Sequence, residues 1–176
     1  CGQGVKVVGE GFYCDEQWLG KPMVSRIINA RDVLDGVYTG RAIIDFFELG
    51  ESEARSSNAE AYQQLLTQVK PLRGENKRKS IREIWWRFAW ERPVIRKAVQ
   101  GLDRYFVTLS TAKHGVFVAV EPSLVWDGAL FAIATDRWSV AGVLSSQIHR
   151  VWALSAGGTL EDRPTWTNST CFDPYP

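Results

Sequence analysis

The sequence predicts an α+β fold in which a mixed or antiparallel sheet is flanked by helices. Residues 1–50 alternate short apolar runs with glycine and charged turns, a pattern typical of strands joined by loops. Between residues 52 and 101 apolar residues recur at helical spacing, and after Gly101 three runs rich in β-branched and aromatic residues return. Strands and helices that fall into separate blocks along the chain indicate the α+β class.

The composition of the chain is typical of a globular protein domain. The chain has 176 residues, of which 45% are hydrophobic and 23% charged, the balance of one globular domain with a sizeable core. No apolar run is long enough to span a bilayer and no leader pattern is present, so we expect a cytoplasmic protein without a membrane partner. Cys1, Cys14 and Cys171 lack metal-ligand spacing, and we expect them to be reduced structural thiols.

The N-terminal third supplies the first strands and a helix. Residues 5–13, 25–38 and 41–49 are predicted to form strands and connecting loops. From Ser52 to Lys70 the apolar residues follow a helical period, and Pro71 is predicted to end this helix.

Residues 74–97, GENKRKSIREIWWRFAWERPVIRK, combine many cations with large aromatics. Eight basic residues stand against three acidic ones, giving a net charge of +5, while the whole chain carries only +1. A local basic patch on a nearly neutral protein is suited to holding a polyanion, although such runs are also common on solvated helix faces. The helical period predicts that the aromatics pack inward and the basic residues face solvent; the inward stripe comprises Ile81, Ile84, Trp85, Phe88 and Ala89.

The C-terminal half is predicted to contain three strands, a helix and a loop. Pro93 opens a short helix that Gly101 closes, and strands follow in residues 104–110, 114–120 and 129–135. Ser139 is the predicted N-cap of a last helix that ends at Gly157–Gly158. Its predicted apolar stripe comprises Val140, Val143, Leu144, Ile148, Val151 and Trp152. Residues 159–176 have no period and are predicted to be a polar loop.

Motifs for catalysis are weak in this sequence. Ser110 and Lys113 match a Ser-x-x-Lys pattern used by serine acylases, but they follow a strand and lack the partner motif. The acidic group of Asp45, Glu48 and Glu51 could be imagined as a metal site, yet such spacing is more typical of a solvated loop. Lys113 and His114 are different, because two adjacent donors at a strand entrance suit a phosphate or a base edge, although a single histidine is often only structural.

Several long stretches resemble one known family. Residues 77–117 (KRKSIREIWWRFAWERPVIRKAVQGLDRYFVTLSTAKHGVF), 142–158 (GVLSSQIHRVWALSAGG) and 160–176 (LEDRPTWTNSTCFDPYP) look like the target recognition domain of MmeI-like enzymes, with further similarity in 29–33 (NARDV) and 43–54 (IIDFFELGESEA). These enzymes are single-chain restriction-modification proteins and related DNA methyltransferases.

The resemblance implies a non-catalytic domain that recognises a short site in double-stranded DNA. Residues 1–176 would form a single target recognition domain cut from a longer chain, an expectation that fits a first residue of Cys1 and a single methionine at Met23. The parent would be an adenine-specific methyltransferase, with or without a nuclease. S-adenosylmethionine would bind its methyltransferase domain, so we expect no cofactor and no metal in this fragment.

The resemblance also implies roles for individual residues. The segment 163–170 is expected to read bases, with Arg163, Trp166, Thr167, Asn168 and Ser169 as the first candidates, since amide, guanidinium and hydroxyl groups match base edges. The turn of Thr135, Asp136, Arg137 and Trp138 is the second region, with Arg137 its main candidate. Backbone contacts are expected from Arg78, Lys79, Arg82, Lys113 and His114. Gly115 stands where many relatives have arginine.

Two other classes of function are also compatible with the sequence. A protein-interaction or scaffold domain could use the basic patch to bind an acidic partner. A hydrolase using Ser110 and Lys113 is the weaker alternative.

Overall fold

The computed structural model of the chain describes residues 1–36 and 40–176, and the predicted α+β fold is confirmed. The strands are β1 Gly2–Gln3, β2 Val24–Ile28, β3 Arg41–Ile44, β4 Tyr105–Leu109, β5 Phe117–Val120, β6 Leu124–Trp126, β7 Leu130–Ile133, β8 Gly158–Leu160 and β9 Arg163–Thr165. The α-helices are α1 Ala30–Asp35, α2 Glu51–Ser57, α3 Ala59–Gln68, α4 Lys70–Gly74, α5 Lys79–Glu83, α6 Pro93–Val99, α7 Trp138–Leu144 and α8 Gln147–Ala156. None of the helices in this part of the chain is long and apolar enough to cross a membrane.

The strand β4 lies inside the main sheet, whose order is β1-β7-β4-β5 with antiparallel pairs. Every residue of β4 is buried, because helices cover both faces. Phe106 packs with Ile133 and with Ala141 and Leu144 of α7. Tyr105, Val107 and Leu109 point the other way, into a cluster that includes two residues of α6, Ile95 and Val99. The alternation of a strand thus places β4 between two apolar layers.

A second sheet, in the order β3-β2-β6, leads into a helical layer. Its strands and helices α2 and α3 enclose a core that includes Phe12, Ile43 and Leu65. The same core takes up Trp85, Trp86 and Phe88, so the aromatics of the basic segment are internal as predicted. Ile84 was predicted to lie on the same inward stripe, but it is 40% exposed.

The helix predicted over residues 78–89 is short in the structure, because α5 ends at Glu83. Buried Arg73 explains why the helix does not continue. Its guanidinium donates hydrogen bonds to the carbonyl oxygens of Trp85, at 3.1 Å, and of Arg87. Those carbonyls accept hydrogen bonds from a side chain and not from the backbone N–H groups of a next helical turn. Residues 84–90 therefore form turns and a short β-bridge.

The helix predicted from Ser52 to Lys70 is divided at Asn58, whose side chain accepts from the N–H of Ala61 at 3.0 Å and so caps α3. Pro71 does not end the helical region. It lies in the first turn of α4, where its missing N–H leaves no hydrogen bond unmade.

Several other predictions about elements were wrong. Residues 5–13 form only isolated bridges and a short 3-10 helix, and residues 30–35 form α1, capped by Asn29 and Asp32, where strands and loops were predicted. The end of that predicted segment, Val37 and Tyr38, lies outside the described residues. The strand β6 was not predicted.

The last helix is also two helices, and only part of the predicted apolar stripe is buried, including Leu144. Arg137 precedes α7, while Ser146 caps α8 by accepting from the N–H of His149 at 3.2 Å. His149 is buried, whereas three members of the predicted apolar stripe are more than half exposed: Val143, Ile148 and Val151. The predicted loop after α8 is a β8–β9 hairpin followed by a π-helical turn at Asn168–Phe172.

Candidate functional site

A small cleft of about 60 Å³ lies at the C-terminal end of β4. Three segments form it: the loop after β4, one side of α8, and the end of β9. Lys113 and His114 lie on its loop side and are exposed. The full lining comprises Thr108, Leu109, Ala112, Lys113, His114, Gly115, Phe117, Leu144, Ser145, His149, Arg150, Ala153, Leu154, Pro164, Thr165 and Trp166.

Backbone hydrogen bonds fasten the β9 segment to this loop. The N–H of Ala112 donates to the carbonyl of Pro164 at 3.3 Å, and the N–H of Trp166 donates to the carbonyl of Ser110 at 2.9 Å. Thr111 and Thr165 form an antiparallel bridge between them. Two regions about fifty residues apart, which the sequence nominated separately, are therefore neighbours in the fold.

Trp166 does not present its ring to solvent, because only 8% of the residue is exposed. Its ring packs edge-on against Phe131 at 5.5 Å and Phe117 at 5.8 Å between centroids. The prediction that it reads a base is therefore corrected: Trp166 supports the segment that carries its neighbours. The indole N–H has no hydrogen-bond partner among the described residues.

His149 joins α8 to the C-terminal segment. Its Nδ1 lies 2.7 Å from the carbonyl oxygen of Leu144, and its Nε2 lies 3.3 Å from that of Cys171. Tyr175 packs edge-on against the ring at 4.8 Å between centroids. No role was predicted for this histidine from the sequence. Its helical position, next to apolar neighbours, was the signal that could have placed it inside.

The remaining candidates of the C-terminal segment have polar groups at the surface. Thr167 Oγ1 lies 2.8 Å from the hydroxyl of Thr170, and Asn168 Nδ2 donates to Asp173 at 3.5 Å, a long contact that leaves the amide only weakly held. Ser169 is exposed, within the π-helical turn. Arg163 is exposed but pairs with Glu161 at 2.9 Å. Their role in base recognition stays a prediction.

Arg137 lies at the other end of the sheet. It follows β7, whose Ile133 pairs with Phe106 near the start of β4, while Lys113 and His114 follow the end of β4. A strand of five residues spans roughly 17 Å, so the two predicted base-reading regions are separated by about that length. The structure thus brings Lys113 and His114 to the same cleft as residues 164–166 and leaves Arg137 apart.

The predicted phosphate contacts of the basic segment are partly occupied within the protein. Lys79 Nζ lies 3.6 Å from Glu83, and Arg82 donates to the carbonyl of Asn76 at 2.6 Å. The guanidinium of Arg78 lies over the ring of Trp90, 4.9 Å from its centroid. Other cations of the segment pair elsewhere: Arg87 with Glu91, Arg96 with Asp45 and Lys97 with Glu48. Asp45 and Glu48 lie outside the segment in sequence and offset two of its charges, so the patch that a ligand meets is less positive than the sequence count of +5.

The acidic group considered for a metal is dispersed among separate partners. Asp45 pairs with Arg96, Glu48 with Lys97 at 2.7 Å, and Glu51 accepts from the hydroxyl of Tyr62 at 2.8 Å. Across residues 1–36 and 40–176 no group of three or more potential metal ligands is found.

The two motif residues for hydrolysis are equally unconnected. Within the described chain no hydrogen bond joins Ser110 to Lys113.

Cys14, one of three free thiols, has its pKa raised to about 11 by burial and by Asp15, so it is protonated at neutral pH.

A larger cleft of about 820 Å³ opens between the two sheets, away from the predicted residues. Its charged lining residues are Arg26, Asp103, Arg104 and Glu121, two of each sign. Arg104 also donates to the carbonyl of Asp136 at 3.4 Å. This balance gives the cleft no preference for an anion.

Comparison with solved structures shows what this fold is similar to. No protein-family model matches the chain, and no curated protein matches it. The fold is similar to a solved structure described as the Type IIL restriction-modification enzyme MmeI in complex with DNA, with a TM-score of 0.77 at 16% sequence identity. The match covers 99% of this chain and 24% of that chain, so this chain spans about a quarter of its length. The likeness supports a related fold.

Proposed function

We propose that this chain is a target recognition domain that binds a short site in double-stranded DNA without catalysing a reaction itself. One observation carries the proposal: nearly the whole chain, 99%, shares its fold with part of a restriction-modification enzyme whose structure contains DNA. The cleft supports it, because Lys113 and His114 stand beside the segment 163–169 that resembles the base-reading region of such domains.

The residues divide into two tasks. Asn168, Ser169, Thr167 and Arg163 carry amide, hydroxyl and guanidinium groups that can pair with base edges in the major groove. Lys113 and His114 bind backbone phosphates and fix the register of the duplex. Arg137, about one strand length away, contacts the duplex several base pairs further along, since base pairs stack at about 3.4 Å.

The same proposal implies that this chain is part of a longer protein with a methyltransferase domain. Residues 1–176 form one recognition domain of a longer bacterial, cytoplasmic chain, whose methyltransferase domain binds S-adenosylmethionine and methylates a flipped adenine. The recognition domain holds the duplex so that the adenine reaches that site. Whether cleavage accompanies methylation depends on a nuclease domain in the parent.

Fluorescence anisotropy on a labelled duplex of random sequence tests the binding step. We expect affinity to fall steeply as salt rises from roughly 50 to 200 mM, because binding to phosphates releases counterions. A folded protein that leaves the anisotropy unchanged at the lowest salt would contradict the proposal.

A protein-interaction domain is the second candidate, favoured by an exposed apolar surface on α7 and α8. Val143, Ile148, Val151 and Leu154 are between 51% and 75% exposed, which is unusual for a helical stripe. If this surface carries the function, Ile148→Glu with Val151→Glu abolishes capture of a partner protein and leaves DNA binding unchanged. Loss of DNA binding in the same variant would instead link the surface to the duplex.

A further inference from the structure

We infer that Arg150 of α8 joins Lys113 and His114 in a phosphate clamp on the rim of the small cleft. The inference deepens the proposed function and rests on it. It adds a residue that sequence reasoning missed, and it names the ligand group as one backbone phosphate of double-stranded DNA.

The three residues line one cleft from two elements. Arg150 lines the cleft from α8, together with Ala153 and Leu154 at helical spacing, while Lys113 and His114 line it from the loop after β4. All three are exposed at the rim, and backbone hydrogen bonds of Ser110 and Ala112 with the β9 segment hold the loop just before Lys113. A phosphate placed there meets donors from both sides.

None of these donors is engaged by the protein. Lys113, His114 and Arg150 form no ion pair or side-chain hydrogen bond with any residue in 1–36 or 40–176. Arg163, by contrast, is held by Glu161 at 2.9 Å. Arginine and lysine can bind a phosphate without first breaking an internal pair, and an imidazole N–H donates in either protonation state.

The surroundings of the rim favour an anion. No aspartate or glutamate occurs among the described residues that line the cleft, so no fixed negative charge opposes a phosphate. The wall contains buried Trp166, whose indole N–H lacks a protein partner within the described chain. Thr165 and Trp166 share the rim and lead directly into the predicted base-reading residues, so a phosphate held here lies next to the bases being read.

Salt-dependent binding of the 176-residue chain to a random-sequence duplex tests the clamp, with Arg150→Gln as the variant. Loss of one phosphate contact lowers the slope of log affinity against log salt by roughly one. The ratio of wild-type to variant affinity then falls about threefold between roughly 50 and 200 mM salt. Arg150→Lys, which keeps a cation, retains most of the slope.

Arg55→Gln is the matched control, because Arg55 is an exposed arginine on α2, away from the cleft. Thermal unfolding of each variant establishes that it is folded. A slope for Arg150→Gln equal to that of wild type and of Arg55→Gln overturns the clamp while the proposed function stands. Loss confined to one DNA sequence also overturns it, because a phosphate contact weakens all duplexes alike. Absence of binding by wild type contradicts the proposed function itself.

Discussion

Two regions of this molecule are rich in cations, and the protein uses them differently. In residues 70–97 several positive side chains are buried or paired: Arg73 is buried, Arg96 binds Asp45 and Arg87 binds Glu91. Lys77 is exposed and has no ion pair among the described residues. At the cleft rim Lys113 and Arg150 have no partner among the described residues. The first region has the larger sequence charge, yet more of its cations would have to give up an internal partner before they bind a ligand.

The charge of a sequence window is therefore not the charge that a partner meets. Asp45 and Glu48 lie about fifty residues before the cations they neutralise, so a count within one window cannot include them. A buried pair also contributes little to the field outside the protein, whereas an unpaired surface cation keeps its attraction for a phosphate. Substitutions in each of the two regions can test this difference.

Replacing Arg73 by Met should give the largest effect on stability. The guanidinium donates to the carbonyls of Val7, Val8, Trp85 and Arg87, and burial lowers its pKa to about 10, so it remains protonated at neutral pH. Arg73→Met leaves several buried carbonyls without a donor, and we expect the free energy of unfolding to fall by about 4 kcal/mol. Urea unfolding followed by tryptophan fluorescence measures this.

Arg55→Met is the control for Arg73, because an exposed arginine should change stability by less than about 0.5 kcal/mol. If Arg73→Met unfolded at the wild-type urea concentration and instead lost DNA affinity, the inward role of this region would be wrong.

Trp166→Ala comes next, on the side of the cleft. Removing a ring that packs against Phe117, Phe131 and Phe172 should lower the free energy of unfolding by about 3 kcal/mol, through lost burial and the cavity left behind. Trp138→Ala, at a residue that is 62% exposed, should cost far less. Equal losses in the two variants would show that Trp166 is not a core residue in solution.

The sequence predicted those parts of the fold that local patterns determine. The strands β4, β5 and β7 and the start of α6 were found from β-branched runs and Pro93, because burial on both faces and proline geometry leave a local signature. The break between α7 and α8 was missed, since Ser146 and Ser139 are equally good caps by type. Arg73 could not be found as a core residue at all, because its partners are carbonyls of residues remote in sequence.

The site was predicted in pieces. Sequence resemblance nominated Lys113, His114 and the segment 163–169, but their proximity depends on the bridge between Thr111 and Thr165, a long-range pairing without a sequence signal. Trp166 was predicted to read bases because the resemblance places it in the segment 163–170, and the structure places it in an aromatic cluster. Arg150 was not predicted as a site residue. The apolar residues of α8 were predicted to form the buried face of the helix, whereas several of them are exposed.

Asn168→Ala tests whether the C-terminal segment reads bases. Once selection from random duplexes has identified the preferred site, this variant should lose about 1–3 kcal/mol of binding free energy on it and tolerate any base at one position. Gln63→Ala, exposed on α3, should keep the wild-type preference. A uniform loss on all duplexes would instead make Asn168 a backbone contact.

The smallest effect is expected from Lys79→Gln combined with Arg82→Gln, which tests the comparison directly. Sequence reasoning alone gave each residue one phosphate contact. Lys79 has Glu83 at 3.6 Å and Arg82 has the carbonyl of Asn76 at 2.6 Å, so both cations are partly engaged already. We therefore expect the salt slope to fall by less than about one for the pair, whereas Lys113→Gln with Arg150→Gln should lower it by roughly two. Anisotropy titrations on one duplex compare the two double variants. If the slope fell by two in the α5 variant and was unchanged in the rim variant, DNA would bind along α5, and internal pairing would not weaken a cation's hold on phosphate.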